Sequence, residues 1–297
     1  MTNAIETKGL TKDYGAGHGI FDLDLTVTEG EAFGYLGPNG AGKTTTIKLL
    51  MGMTHATRGA GTVFGRDVDR DSVALKKRVG YVPGELPQWG GWRGTEIVAY
   101  LMGIRGGASD ADVEAIAKRL DLDLSRRYRE YSHGNKQKLA LLLAFAPKPD
   151  LLILDEPTSG LDPLHQQEFY GLVKDARSRG ATIFVSSHVL SEVEHICDRV
   201  GIVREGHLAT VAPLSELAGI RAHRVVIEFA EPVSATNLRV DGLDQVSVDG
   251  TRVTGMYRGD FALLISALAG KPVKTLDSRE PTLEEIFLSY YREGTKA

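Results

Sequence analysis

The sequence predicts an α/β fold in which helices cover both faces of a largely parallel β-sheet. The run at residues 151–154 is wholly apolar, as expected of a central strand that is buried on both sides. Residues 181–187 predict a second buried strand. A helical pattern lies between the two, with Pro163 near its first turn and Gly180 just past its end. Strands that alternate with helices in this way are typical of α/β domains with a parallel sheet.

Length and composition limit the class of protein. A chain of 297 residues is long enough for about two domains, and its formal net charge of −4 argues against binding nucleic acid or anionic lipid through bulk charge. The longest uncharged apolar run ends before Pro147 and is far shorter than the roughly 20 residues of a membrane-spanning helix. The chain starts without a secretory signal pattern and has a single cysteine, Cys197. We therefore expect a cytosolic protein.

The spacing of apolar residues predicts the earlier elements. Apolar residues alternate at 21–27, which predicts a half-buried strand. Residues 32–36 predict another strand, which runs into a glycine-rich turn and a helix at about 43–51. Residues 86 to about 145 have a mostly helical pattern. We expect a first domain at 1–220 that contains a helical subdomain at about 86–146.

The pattern changes near residue 220, which predicts a small C-terminal α+β domain at 221–297. Its predicted elements are a strand at 224–229, a hairpin that turns at Asp249-Gly250, helices at 261–269 and 282–291, and a strand at 272–276. This domain has no cluster of residues that suggests catalysis.

A glycine-rich segment after the strand at 32–36 has the P-loop pattern G-x-x-x-x-G-K-[ST]. It consists of Gly37, Pro38, Asn39, Gly40, Ala41, Gly42, Lys43, Thr44 and Thr45. Its glycines let backbone N–H groups converge on phosphates, and the positive end of the following helix faces the same anion. We expect Lys43 to reach the β- and γ-phosphates and the Thr44 hydroxyl to bind Mg²⁺. The alternative, a turn that merely joins strand to helix, does not account for the attached Lys-Thr-Thr.

Two adjacent carboxylates follow the apolar strand at 151–154. Adjacent strand residues point in opposite directions, so Asp155 and Glu156 need different tasks. We expect Asp155 to be the Mg²⁺ ligand and Glu156 to orient or deprotonate the water that attacks the γ-phosphate. A solvated acidic loop is the alternative, and it fits poorly behind four buried aliphatic residues.

These motifs, in this order, resemble those of ATP-binding cassette proteins, specifically the ATPase subunit of an ABC transporter. Over about residues 4–220, the segment 131–139 is similar to the signature sequence, 159–162 to the D-loop, and His188 to the switch histidine. Tyr14 matches the aromatic residue that stacks on adenine. The resemblance implies a P-loop NTPase domain, with a mixed sheet core plus a helical subdomain, that hydrolyses ATP with Mg²⁺. It assigns Ser132, Gly134 and Asp162 to nucleotide binding, and His188 to catalysis beside Glu156.

Each of these motifs also has an ordinary structural interpretation. Ser132 has the residue type and position of a helix N-cap, a role that is compatible with nucleotide contact. An isolated His188 would more often be a buried or capping histidine, and Tyr14 a packing residue near a strand end. His188, His195 and Cys197 form an incomplete ligand set for zinc, so we interpret Cys197 as a packing residue.

The sequence departs from the family pattern at two places. His133 stands where the family usually has glycine after the signature serine, and Asn135 replaces the usual glutamine. Gly84 stands where the family commonly has a glutamine that contacts Mg²⁺ and the attacking water. We hypothesise that Glu85 or Gln88 substitutes for that side chain.

The P-loop and the signature serine each occur once. In the family they meet only across a dimer interface, so the resemblance implies two copies, in a homodimer, that close head-to-tail around two ATP molecules. Lys43, Thr44 and Asp155 would neutralise charge on one copy, and Ser132 would complete the site from the other.

Transport would require a separate transmembrane permease, since no predicted segment spans a membrane. By family analogy the insertion at about 86–129, with Trp89 and Trp92, is the docking side, although local packing explains the two tryptophans equally well. Residues 281–291 resemble the ending of bacterial subunits that pair with six-helix export permeases, including drug and antibiotic exporters. We expect a cytoplasmic protein, peripheral at the inner face of the cell membrane, that touches the membrane only through its permease.

The main competing class is a soluble ABC ATPase with a regulatory or nucleic-acid-associated role. A chromosome-maintenance ATPase would carry long coiled-coil heptads between the P-loop and Asp155, and the sequence has none. A translation-associated member would usually show two cassettes, and a GTPase would show an Asn-Lys-x-Asp motif. A purely regulatory nucleotide binder would be expected to lack Glu156 or His188. We therefore expect an export ATPase that binds no nucleic acid.

Overall fold

The core of the protein is a six-stranded sheet whose central strands run parallel. The computed structural model describes residues 2–218, 222–233 and 240–279, and the chain divides into two units, Met1–Leu214 and Ser215–Ala297. The predicted domain boundary after residue 220 lies slightly further along the chain. Within the described residues, no helix combines the length and the apolar character needed to cross a membrane.

The six-stranded sheet has the order β10-β9-β3-β8-β7-β6. Its strands are β3 (Ala32–Leu36), β6 (Val79–Val82), β7 (Leu151–Asp155), β8 (Thr182–Ser187), β9 (Arg199–Arg204) and β10 (His207–Pro213). All its pairs are parallel except β9 with β10. Every residue of β3, β7 and β8 is buried, which confirms the two buried strands predicted at 151–154 and 181–187.

A second sheet of four antiparallel strands, in the order β2-β1-β4-β5, makes the first unit a mixed α/β structure. Its strands are β1 (Asn3–Asp13), β2 (Gly19–Thr28), β4 (Arg58–Val63) and β5 (Arg66–Asp67). The predicted strand at 21–27 lies within β2. Apolar residues of both sheets and of the first helix share one core, as Leu23, Phe33 and Ile47 illustrate.

Helices connect many of the strands of the first unit. They are α1 (Lys43–Leu50), α2 (Ser72–Arg78), α3 (Gly94–Arg105), α4 (Asp110–Arg119), α5 (His133–Phe145), α6 (Pro163–Ser178) and α7 (Leu190–Glu194). A further helix, α8 (Leu214–Ala218), begins at the last residue of the first unit and continues into the second. The segment predicted to be mostly helical, from residue 86 to about 145, contains α3, α4 and α5, and its first residues, 86–93, are not helical. Pro87 and the left-handed Gly90 lie in this non-helical part. The α6 prediction is confirmed, with Pro163 as its first residue and Gly180 at φ +88° beyond its end.

The second unit contains an antiparallel sheet of order β12-β13-β11-β14 and, in its described part, one helix besides most of α8. Its elements are β11 (Ala222–Phe229), β12 (Leu243–Asp249), β13 (Arg252–Arg258), α9 (Phe261–Leu268) and β14 (Val273–Arg279). The predicted hairpin turn was wrong by one residue. Asp249 pairs with Arg252, so the turn residues are Gly250 and Thr251, because glycine takes the positive φ, +59°, at the first turn position. The predicted helix at 282–291 lies outside the described residues.

Candidate functional site

The P-loop connects the buried strand β3 to helix α1 and leaves the start of that helix open. Gly42 is the N-cap of α1 with φ +106°, and no side chain of the described residues caps the helix. A Cβ at Gly42 would come within 2.6 Å of Cγ2 of Ile20, so the close turn requires glycine. The first N–H groups of a helix have no partner within the helix, and they favour an anion. This local structure is that of a phosphate site.

Lys43 is held inside the loop by oxygen atoms. Its Nζ donates to the carbonyl oxygens of Gly37, at 2.6 Å, and Pro38, at 3.2 Å, and lies 3.3 Å from Oε1 of Glu156. The residue is only 5% exposed. The ammonium group therefore lies between the phosphate-binding turn and the carboxylate that was predicted to be catalytic.

Asp155 ends β7 and contacts the P-loop directly. Its Oδ2 accepts a hydrogen bond from the Thr44 hydroxyl at 2.8 Å, and its Oδ1 accepts one from the Ser186 hydroxyl. Burial and, to a smaller extent, the nearby Asp155 carboxylate raise the pKa of Tyr81 to about 12. Mg²⁺ prefers one or two protein oxygen ligands together with phosphate oxygens and water, and Thr44 with Asp155 fits that preference.

Glu156 directly follows the last residue of β7, so the alternation of strand residues does not extend to it. Its backbone is left-handed, with φ +48°, a conformation that is rare for residues other than glycine and is concentrated at functional sites. Its Oε1 faces Lys43, and its Oε2 lies 3.1 Å from Nδ1 of His188. The structure thus brings together three of the residues that the sequence selected, Lys43, Glu156 and His188.

A cavity of about 260 Å³ adjoins this cluster. It is lined by Tyr14, His18, Gly19, Asn39, Gly40, Gly42, Lys43, Thr44, Thr45 and Glu156. Tyr14 is 56% exposed, so its ring is accessible at the edge of the cavity. The sequence analysis missed His18 and Gly19. The sequence feature that could have identified these two residues is the glycine-rich segment 15–19, which follows Tyr14 and joins two strands.

Ser132, Gly134 and Asp162 do not line this cavity in their own chain. Ser132 is the N-cap of α5 and accepts from the backbone N–H of Asn135 at 3.3 Å, as its ordinary interpretation predicts. Gly134 lies against the D-loop, since a Cβ there would come within 2.7 Å of the carbonyl oxygen of Gly160. Asp162 caps α6 by accepting from the backbone N–H of His165 at 3.0 Å. The signature and the D-loop therefore form one surface, separate from the P-loop cavity.

Gly84 lies beside the carboxylate of Asp155. A Cβ at Gly84 would come within 2.8 Å of Oδ2 of Asp155, so even a small side chain requires a shift. Glu85, hypothesised as a substitute for the missing glutamine, lines a different cavity, and Gln88 lines neither cavity. Neither hypothesis gains support from the structure.

That second cavity, which we call the apolar groove, has a volume of about 620 Å³. Apolar residues of α2, α3 and α5 line it, among them Val73, Leu101 and Leu139, together with Met51 directly after α1. Trp89 also lines the groove, and its ring lies 6.1 Å from that of Trp92, so the two tryptophans pack together.

The charged residues of the apolar groove are mostly basic. Lys76, Lys77, Arg105 and Lys136 line it, and Glu85 is the one carboxylate among the described lining residues. Nε and Nη2 of Arg105 are buried and have no hydrogen-bond partner within the described part of the chain. Burial lowers the pKa of this guanidinium. An unpaired buried cation is costly, and a carboxylate from another chain would reduce that cost.

Cys197 is buried in the first unit, near the end of α7. It is 7% exposed, and a Cβ at Gly34 would come within 3.3 Å of its Sγ. Burial, and then the carboxylate of Asp198, raise the pKa of its thiol. These surroundings are those of a packing residue.

Comparisons with known proteins agree with these motifs. A family profile described as ABC transporter matches residues 20–159. A bacitracin transport ATP-binding protein of Bacillus licheniformis is 37% identical over 306 residues, which covers 99% of this chain and 99% of the relative. A fluoroquinolones export ATP-binding protein of Mycobacterium tuberculosis is 31% identical over 292 residues, 97% of this chain and 93% of the relative. The solved structure of an ATP-binding subunit of an ABC transporter matches with a TM-score of 0.67 and 29% identity, covering 72% of this chain and 91% of that chain.

Proposed function

Because the chain belongs to the ABC transporter family, as a subunit that binds and hydrolyses ATP, we propose that it powers export of a substrate through a separate membrane permease. One observation carries the catalytic part of this proposal. Glu156 contacts both Lys43 and His188 beside a helix start that no side chain of the described residues caps, and the Thr44 hydroxyl binds the adjacent Asp155. The names of two relatives, which describe bacitracin transport and fluoroquinolone export, support the direction of transport.

The residues of one chain have distinct tasks in this proposal. Lys43 exchanges its contacts with loop carbonyls for contacts with phosphate oxygens. Thr44 and Asp155 would hold Mg²⁺, which when bound would neutralise charge on the phosphates. Glu156 orients the attacking water and accepts its proton, while His188 supports the Glu156 carboxylate. Tyr14, at the edge of the cavity, stacks on adenine.

We propose that two copies of the chain form the complete site. Ser132, Gly134 and Asp162 share a surface that does not line the cavity of their own chain. The start of α5 at Ser132 offers N–H groups to an anion, and a second copy would present its bound phosphates there. A head-to-tail homodimer accounts for one P-loop and one signature per chain.

We propose that the permease binds in the apolar groove. An amphipathic helix that presents its apolar face to a groove is a common mode of recognition. The excess of basic residues there, including Lys76 and Lys77, favours a permease segment that carries acidic side chains. Such a contact would hold the chain at the inner face of the cell membrane.

The test of catalysis is Glu156→Gln in the full chain. We expect this variant to bind ATP and to dimerise more durably, because ATP hydrolysis falls by about 100-fold or more when the proton acceptor is lost. ATP binding, steady-state hydrolysis with Mg²⁺ and the oligomeric state should be measured together. Glu114→Gln, at an exposed position on α4, is the control and should behave as wild type. Rapid turnover by Glu156→Gln would refute the assigned role.

The test of transport is association with membranes. The chain should sediment with membranes only when a cognate permease is co-expressed. Binding to membranes or to nucleic acid without a permease would contradict the proposal and would favour a soluble ABC ATPase.

A further inference from the structure

The loops that carry Glu156 and His188 lie beyond the last paired residues of their strands. The parallel pairing of β7 with β8 ends at Asp155 and Ser186. One further backbone link follows, in which the N–H of Glu156 donates to the carbonyl oxygen of Ser186 at 3.2 Å. On its other side β8 pairs with β3 up to Ser187, which lies opposite Leu36, and beyond these residues the sheet no longer determines how far Glu156 lies from His188.

A carboxylate on α7 bridges the loop after β7 and the end of β8 at this point. Oε1 of Glu192 accepts a hydrogen bond from the Thr158 hydroxyl at 2.5 Å, and Oε2 accepts one from the Ser187 hydroxyl at 2.7 Å. Thr158 follows Glu156 by two positions, and Ser187 directly precedes His188. One side chain therefore joins the loop after β7 to the last residue of β8, directly before His188.

Both hydroxyl groups that Glu192 binds belong to buried residues. Thr158 is 5% exposed and Ser187 is 1% exposed. Hydrogen bonds to a carboxylate are stronger than those between neutral groups, and burial strengthens them further. Ser187 also accepts a hydrogen bond from the N–H of Gly37 through its carbonyl oxygen at 3.3 Å, so the bridge adjoins the P-loop as well.

We infer that Glu192 is a positioning residue that holds the catalytic pair Glu156 and His188 in the arrangement needed for ATP hydrolysis. Glu192 does not line the nucleotide cavity, so it acts through Thr158 and Ser187 rather than by contact with ATP. This inference rests on the proposed roles of Glu156 and His188. It requires that loss of Glu192 lower turnover while nucleotide binding is retained.

The hydrogen bonds predict different results for two substitutions. In Glu192→Ala both bridging bonds are lost. The Ser187 hydroxyl keeps an acceptor, the carbonyl oxygen of Val189 at 3.2 Å, whereas the bridge to Thr158 is broken. In Glu192→Gln the amide can accept from one hydroxyl and donate to the other, so most of the bridge survives.

The experiment measures steady-state ATP hydrolysis by the full chain with Mg²⁺, ATP binding at equilibrium, and the thermal midpoint. Glu192→Ala should lower kcat by about 10- to 100-fold, the effect of misplaced catalytic groups, with KM and ATP affinity within about twofold of wild type. Glu192→Gln should retain kcat within a few fold. Glu194→Ala, at an exposed position on the same helix, is the matched control and should leave all three quantities unchanged.

A double-mutant cycle tests whether Glu192 acts through Thr158. Thr158→Val removes the same hydrogen bond from the other side, so we expect it to lower kcat with ATP affinity retained. The double variant Thr158→Val with Glu192→Ala should lose little more than the single Glu192→Ala, because the two changes remove one shared interaction. Fully additive losses would overturn the inference.

Other outcomes also decide the matter. Wild-type kcat in Glu192→Ala would overturn the inference. It would also be overturned if Glu192→Ala and Glu192→Gln both lost ATP binding, kcat and thermal stability to the same extent. That result would mark Glu192 as a structural residue only. Should Glu192→Ala fail to fold, wild-type kcat in Thr158→Val would still overturn it. A wild-type chain that binds but does not hydrolyse ATP would refute the proposed function instead.

Discussion

Gly84 leaves no space between the backbone and the Asp155 carboxylate. The family commonly has glutamine at this position, but a Cβ here would lie 2.8 Å from Oδ2 of Asp155. We predict that Gly84→Ala lowers Mg²⁺-dependent turnover by about tenfold, because the carboxylate must move away from Thr44. Titration of ATPase activity with Mg²⁺ should also show a higher Mg²⁺ requirement.

Gly103 on α3 provides the control for this substitution. A Cβ at Gly103 would meet nothing within 4 Å, so Gly103→Ala should leave turnover and Mg²⁺ dependence unchanged. Improved activity in Gly84→Ala would show that the loop adapts easily and would contradict the steric argument.

Asp162, the N-cap of α6, contributes to stability in acid. The backbone N–H of His165 and then its side chain hold the pKa of Asp162 below its usual 3.8. The pKa of Asp162 is lower in the folded state than in the unfolded state. The stabilisation is therefore fully present above the unfolded-state pKa and is lost as the pH falls through the folded-state pKa. We predict that Asp162→Asn lowers stability at neutral pH and flattens its decline in acid. Urea unfolding over a series of pH values measures both effects, and an unchanged acid slope would contradict the prediction.

Most individual site residues could be predicted because their motifs are local. The P-loop from Gly37 to Thr45 and the pair Asp155-Glu156 each lie within one short segment, so spacing alone identifies them. The bridge formed by Glu192 could not be predicted. Thr158, Ser187 and Glu192 are ordinary polar residues, and only the folded chain brings their side chains into contact.

Elements with a clear apolar pattern were also predictable. β7, with five buried residues, appears in the sequence as an unbroken aliphatic run. By contrast, β4 contains Gly59 and Gly61, residues that are depleted in strands, and its first three residues are exposed. Antiparallel pairing with β1 holds β4 in a strand conformation that its own residues do not favour. The antiparallel sheet was therefore only partly predictable.

At the scale of elements, the apolar groove makes a prediction about partner binding. Reversing two charges on α2, with Lys76→Glu and Lys77→Glu, should weaken copurification with the permease because the basic side of the groove is lost. ATP hydrolysis by the isolated chain should remain at the wild-type level, since neither lysine lines the nucleotide cavity. Lys118→Glu on α4, also exposed, is the control. Unchanged copurification of the α2 variant would place the permease contact elsewhere.

At the scale of the whole molecule, the head-to-tail homodimer can be tested by mixing two inactive chains. Lys43→Ala damages the P-loop, and Ser132→Phe damages the signature surface. In a mixed dimer one composite site carries both changes and the other carries neither. With random pairing, roughly one quarter of all sites should be intact. ATP hydrolysis should therefore rise on mixing well above that of either variant alone, and a mixture as inactive as its components would contradict the arrangement.

The single cysteine gives the chain a practical property. Cys197 is enclosed by its neighbours, and its thiol ionises only at unusually high pH, so alkylating reagents have little access to it in the folded state. A new cysteine introduced on the surface would thus be the preferred attachment point for a fluorophore or spin label without removal of the native one. Distances between labels on paired chains would then report the approach of the two copies during each turnover.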